Sequence, residues 1–126
     1  MNQLRHKSVI ASACIAASVV GVGIYRAATL RAQGPVHEIS ITGDHYSFSP
    51  PTISVRKDEL VKVTFTASDI PHSLTIDDYR ISKRAGAGQS VVFEFRADRV
   101  GDFSYYCDLK QDERCRGMKG TLTVKP

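Results

Sequence analysis

Residues 105–124 read YYCDLKQDERCRGMKGTLTV, and the way this stretch folds decides the architecture. Apolar positions alternate at both ends, with Phe103, Tyr105 and Cys107 before the middle and Met118 and Leu122 after it. A period of two is the signature of half-buried strands. Between the strands runs a polar loop that carries three sulfur atoms within 12 residues, at Cys107, Cys115 and Met118. A long loop joining strands is uncommon unless it has a function or moves. Soft sulfur ligands select soft metals such as Cu(I). A nitrogen partner is available at His72, which heads another strand-like run, HSLTI at residues 72–76. His72, Cys107, Cys115 and Met118 are therefore the candidate metal ligands, and copper is the metal they suit best.

The rest of the body reads in the same way. Residues 37–42 alternate, and residues 46–48 end at Pro50 and Pro51. Residues 52–55 precede a KDE turn at residues 57–59. Residues 60–66 then alternate strictly, with Val61, Val63 and Phe65 against Leu60, Lys62, Thr64 and Thr66. Residues 79–81, 91–95, 102–107 and 119–124 read as further strands, whereas residues 83–89, with Gly86 and Gly88, read as a surface loop. No segment sustains a helical period, and nothing repeats. Seven or eight short strands separated by turn residues predict an all-β antiparallel sandwich or barrel.

Charge is informative only after it is partitioned. Of 17 Lys and Arg, four (Arg5, Lys7, Arg26 and Arg31) precede Gly34, whereas all 13 acidic residues follow it. The body is therefore neutral, and the surplus belongs to the N-terminal segment. This removes the case for a nucleic-acid surface. The chain of 126 residues has room for one domain and a short appendage, here residues 34–126 and residues 1–33.

The appendage directs the chain to a membrane. Residues 8–25 carry no charge and lie between Arg5 and Lys7 on one side and Arg26 on the other. As a helix these 18 residues span roughly 27 Å, close to the hydrocarbon thickness. A secretory signal has a shorter apolar core and a small-x-small cleavage site, and residues 30–32 (LRA) make a poor one. The segment thus reads as an uncleaved transmembrane anchor, with a cleaved signal helix as the competing reading. A lipid-modified Cys14 is disfavoured, because only five residues, Ser8 to Ser12, lie between Lys7 and Ala13. Under either reading the domain is exported to the periplasmic or another extracytoplasmic side.

A family resemblance now becomes visible. Residues 46–50 (YSFSP), 69–76 (DIPHSLTI) and 101–107 (GDFSYYC), followed by Met118, Gly120, Leu122 and Val124, occur in that order. The pattern resembles the cupredoxins, specifically the copper domain of cytochrome c oxidase subunit II and the matching domain of nitrous-oxide reductase. The resemblance covers roughly residues 39–124. It implies a Greek-key β-sandwich, copper as cofactor, and electron transfer to or from a redox partner protein.

The loop departs from that pattern. The binuclear copper motif has Cys, Cys, His and Met at offsets 0, 4, 8 and 11, whereas from Cys107 this chain has Gln111, Cys115 and Met118 at the last three offsets. The spacing is kept, but a bridging cysteine and a histidine have been replaced. The resemblance then implies a mononuclear site of one imidazole, one or two thiolates and a weak thioether. It differs from the usual blue site, which has two histidines.

Other readings compete with this one. Cys107 and Cys115 are close enough in sequence to form a disulfide in an oxidising compartment. The domain would then be a structural module without metal, or, once reduced, a Cu(I) chaperone, store or sensor. Met is also a common core filler. His37 and His45 have no sulfur neighbours and read as surface residues, and Gln111 reads as solvated. Asp69, Asp77, Asp78, Asp108, Asp112 and Glu113 read as loop-solvating charges, because no nucleophile accompanies them. With every ligand position filled by protein, no open site remains for a substrate, so the module reads as a carrier rather than an enzyme.

Overall fold

The computed structural model describes residues 34–126. The appendage, with the uncharged run at residues 8–25, lies outside the described residues. Among the described residues no helix is long and apolar enough to cross a membrane.

Among the described residues, nine strands form two sheets. The first, in the order β2-β1-β4-β7, contains β1 (Val36–Asp44), β2 (Ser47–Ser49), β4 (Leu60–Ala67) and β7 (Ser90–Arg96). The second, in the order β3-β9-β8-β5-β6, contains β3 (Thr52–Arg56), β5 (His72–Ile76), β6 (Ile81–Ala85), β8 (Gly101–Tyr106) and β9 (Lys119–Lys125). Strict alternation decides which face of β4 turns inward. Val61, Val63, Phe65 and Ala67 are buried, while Leu60, Lys62, Thr64 and Thr66 stay partly exposed. They meet Ile53, Val55, Leu74, Ile76, Leu122 and Val124 of the second sheet in one apolar core.

Phe48 of the short β2 bridges the layers. Its ring lies 6.1 Å from Phe65 in one sheet and 5.0 Å, edge-on, from Tyr105 in the other. At the opposite end Tyr79 packs on Phe95 and Phe103, and the Arg99 guanidinium lies over Tyr79 and Phe103.

The structure corrects the sequence reading in three places. β1 pairs parallel with β4, and β3 pairs parallel with β9. The chain leaves the first sheet for β3 and returns for β4, a crossover that no local pattern reveals. Residues 83–85, read as the start of a loop, instead belong to an edge strand at residues 81–85 that pairs with β5 along its full length. Ser82, Lys83 and Arg84 face solvent there, which blunts the edge and hides the apolar period. Finally, Asp77–Tyr79 is a 3-10 turn, closed by an Arg80 N–H donating to the Asp77 carbonyl.

Gly120 sits directly across from Tyr105 in the β8–β9 ladder. The Tyr105 ring lies over it so closely that an added Cβ would collide with two ring carbons. Tyr105 is fully buried, and its hydroxyl donates to the Pro50 carbonyl at 3.1 Å. Gly120→Ala should therefore cost about 1–3 kcal/mol or more through forced displacement of the ring. Gly117→Ala, where the methyl meets open space, should leave the urea midpoint almost unchanged. Equal midpoints for the two variants would refute the close approach as the reason for Gly120.

Candidate metal centre

The four candidate ligands lie at the start of β5 (His72) and in the β8–β9 loop (Cys107, Cys115 and Met118), the two places being linked by the Ser73 amide on Cys107 Sγ. His72 opens β5 with no exposed surface, and Cys107, Cys115 and Met118 are equally buried. Period two puts His72 on the core-facing side of β5 with Leu74 and Ile76. Gly43, near the end of β1, leaves space for the ring; a Cβ there would come within 3.2 Å of the His72 side chain.

The two ring nitrogens of His72 have different environments. Nε2 lies 2.7 Å from Asp69 Oδ1, whereas Nδ1 is buried with no hydrogen-bond partner. Asp69 is held ionised. Burial works against its charge, but N–H groups of Ile70, His72 and His45 outweigh that and keep the carboxyl well below its ordinary range. A carboxylate can only accept, so Nε2 carries the proton, and a neutral ring keeps its lone pair on Nδ1.

The sulfurs are fixed by backbone. Cys107 Sγ accepts the Ser73 N–H at 3.3 Å, with Ser73 Oγ at 3.6 Å. This puts the sulfur beside the residue next to His72. The Cys107 N–H donates to the Met118 carbonyl at 3.4 Å, and the Met118 N–H donates to the Cys115 carbonyl at 3.0 Å. Cys115 and Met118 are separated only by the single 3-10 turn Cys115–Gly117. Cys107 and Cys115 are joined by a disulfide, with Cα atoms 5.2 Å apart. The structure thus describes the oxidised form of the pair.

Several residues read as mere solvation have specific contacts. Asp108 accepts from Ser73 Oγ at 2.6 Å and from Ser82 Oγ at 2.9 Å, and these bonds hold its carboxyl below the usual range against partial burial. Asp112 accepts the Tyr46 hydroxyl at 2.7 Å, which lowers the carboxyl and raises the phenol. The Arg114 guanidinium stacks 4.3 Å from the Tyr46 ring centre, and the same ring meets His72 edge-on at 5.9 Å. Tyr46 therefore ties the sulfur loop to the His72 end of the sandwich. A cleft of about 330 Å³ beside the site is lined by Ile70, Pro71, Arg84, Leu109, Gln111 and Asp112. Gln111 is thus a wall of that cleft.

The remaining described histidines stay away from the sulfurs. His37 Nδ1 bonds Glu59 at 2.9 Å near the start of β1, and His45 is exposed on the β1–β2 turn. Asp44, His45 and Asp69 bring one ligand atom each within 4.8 Å of one another on the surface. Sequence reasoning missed Asp69 and Ser73. The available signals were a carboxylate three residues before a histidine, and the amide that must follow it into the strand.

By donor type alone, the set suits copper once the disulfide is reduced. It offers an imidazole nitrogen free of any other bond, two thiols and a buried thioether, all soft or borderline donors. A Cys₂His set also suits Zn(II).

The chain belongs to the cupredoxin-like domain family, whose sequence profile matches residues 14–124. Solved structures with the same fold include the metal-binding domain of a Cu(I)-exporting P-type ATPase from Streptococcus pneumoniae, determined with Cu(I). It is 19% identical, with 72% of this chain and 87% of that chain covered and a TM-score of 0.60. The periplasmic domain of cytochrome oxidase subunit II from Bradyrhizobium japonicum is 16% identical, with 70% and 83% covered and a TM-score of 0.62. Auracyanin A, a blue copper protein from Chloroflexus aurantiacus, is 16% identical, with 72% and 100% covered and a TM-score of 0.61. At these identities the likeness concerns the fold. No curated protein matches the chain.

The disulfide closes a short loop across eight positions. Under the chain-entropy account such a closure is worth about 2–3 kcal/mol. Cys115→Ser should lower stability by that amount in oxidising buffer and should make little difference against the reduced wild type. An unchanged oxidised midpoint would show that the bond adds no stability.

Proposed function

We propose that this chain is an exported copper-binding cupredoxin that transfers electrons through a mononuclear site of His72, Cys107, Cys115 and Met118. Residues 8–25 hold it to the membrane, and its domain faces the periplasmic or equivalent side. The observation that carries this reading is His72 Nδ1, a buried lone pair with no partner beside the amide that holds Cys107 Sγ. Burying a polar atom without a partner is costly, and a metal ion removes that cost. Bound copper would supply a one-electron couple. The chain's own residues fix the donors: β5 and Asp69 hold the imidazole, Ser73 holds the Cys107 sulfur, and the 3-10 turn holds Cys115 and Met118 in register.

The metal-binding form is the reduced one, because two of the four donors are joined as a disulfide when oxidised. Two specific observations support competing readings. The sulfur-rich, single-histidine donor set suits Cu(I) storage or delivery, and a similar fold occurs in a domain solved with Cu(I). The disulfide itself suits a structural module that takes no metal.

Metal analysis and a visible spectrum of the reduced, copper-loaded protein separate the three. A carrier should bind about one copper per chain and show a sulfur-to-copper band that bleaches and returns with reduction and oxidation. Tight but colourless Cu(I) binding would favour storage or delivery. No uptake after reduction would leave the structural module. Two coppers with a mixed-valence spin-resonance signal would refute a mononuclear site.

The two cysteines should also differ. Cys107→Ser should abolish both copper binding and the band. Cys115→His should retain copper and raise the reduction potential, since a second imidazole replaces a thiolate. An unchanged spectrum and potential would remove Cys115 from the ligand set.

A further inference from the structure

One cluster outside the donor set is centred on a carboxylate in direct contact with His72. Asp69 lies in the turn between β4 and β5 and uses both oxygens. Oδ1 accepts the His72 Nε2–H at 2.7 Å, and Oδ2 accepts the His45 backbone N–H at 3.0 Å. The carboxylate is therefore oriented from two independent segments, the β1–β2 turn and the start of β5. It meets the ring from the solvent side, at 27% side-chain exposure, while the ring itself has none.

We propose that Asp69 is the positioning residue that presents His72 to the metal, keeping the proton on Nε2 and the lone pair on the buried Nδ1. This rests on the metal-site reading above and deepens it. A buried imidazole has two ways to be wrong, each of which blocks ligation. It can carry its proton on Nδ1, or it can rotate so that the free nitrogen faces elsewhere. A hydrogen bond from Nε2 to a carboxylate removes the first, because an acceptor-only group cannot pair with an unprotonated nitrogen. It also opposes the second, because rotation would break a charge-assisted bond. Gly43, with no side chain, lets the Cβ, Cγ and Cδ2 atoms of His72 lie against the β1 backbone. Outer-shell partners of this kind typically govern 10- to 100-fold of metal affinity.

The experiment uses the full chain, reduced with a phosphine and labelled with ¹⁵N at histidine. The His72 signals are assigned by their loss in His72→Gln. In copper-free wild type, Nε2 should show a protonated shift with a slowly exchanging proton, and Nδ1 an unprotonated one. Asp69→Ala should lose the slowly exchanging proton and move both shifts toward tautomer-averaged values. Its Cu(I) affinity, read by competition with a chromogenic chelator, should fall 10- to 100-fold. Asp69→Asn, whose amide oxygen can still accept from Nε2, should recover most of the shift pattern and part of the affinity. A residue that only stabilised the turn would lower the melting temperature and leave the ¹⁵N shifts alone.

Unchanged shifts in Asp69→Ala, with Cu(I) affinity within about threefold of wild type (well under the usual outer-shell effect), would overturn the Asp69 assignment and leave the copper site standing. Failure of the reduced wild type to bind Cu(I) would instead overturn the metal-site reading, and the role assigned to Asp69 with it.

Discussion

A histidine with no exposed surface must have both ring nitrogens accounted for, and much of this domain is arranged around that constraint. An unpaired polar atom in the interior costs on the order of 1–3 kcal/mol. The fold answers for one nitrogen with Asp69 and leaves the other without a partner. β5 is central to this arrangement. Among the described residues it is the one strand buried at every position, because His72, Leu74 and Ile76 turn to the core while Ser73 and Thr75 are covered by a polar layer. In that layer Ser73 bonds Asp108, Thr75 bonds Ser82, and Ser82 in turn bonds Asp108. The outer face of β5 is thus dry enough to fix the Ser73 amide, which is the amide that meets Cys107 Sγ. The same layer that satisfies the strand's outer face therefore also fixes a sulfur.

The β1–β2 turn shows what the arrangement costs locally. His45 and Tyr46 both have positive φ, 45° and 60°, with no glycine to ease them. A left-handed L-residue costs roughly 1–2 kcal/mol, and a two-residue hairpin favours Asn-Gly. The side chain and amide that occupy the turn offset this. Tyr46 bonds Asp112, stacks under Arg114 and meets the His72 ring, while the His45 N–H orients Asp69. Asn-Gly would make the hairpin easier to form and would leave the sulfur loop untied.

The sequence made the sandwich legible because its central strands alternate so regularly. β4 and the β8–β9 pair have the strict period that half-buried strands require, and the inward residues came out as read. The edge strand β6 was not legible, since exposure of Ser82, Lys83 and Arg84 erases the period. Nor were the parallel pairings of β1 with β4 and β3 with β9, which depend on where the chain crosses between layers. At the site, the residue types with unusual chemistry were visible: one histidine and three sulfur atoms at kept offsets. The ordinary ones were not. Asp69, Asp108 and Asp112 look alike in sequence to any solvated carboxylate, and only their partners across 3, 35 and 66 positions distinguish them.

Under the proposed function, the disulfide and a metal ion are alternative solutions to one problem. The loop between β8 and β9 has little apolar surface apart from Leu109, Cys115 and Met118, so hydrophobic burial alone does not order it. A covalent closure orders it by removing conformations from the unfolded chain. A metal ion does so by binding only the folded geometry, with a stabilisation that grows with its free concentration. Both draw on the same two sulfurs, so each state of the loop excludes the other. Tyr46, Asp112 and Arg114 hold the loop through contacts that involve neither sulfur. Those contacts are compatible with either state, and they keep the loop close to its folded path while the sulfurs change partners. The bond from Asp69 to His72 Nε2 likewise involves neither sulfur.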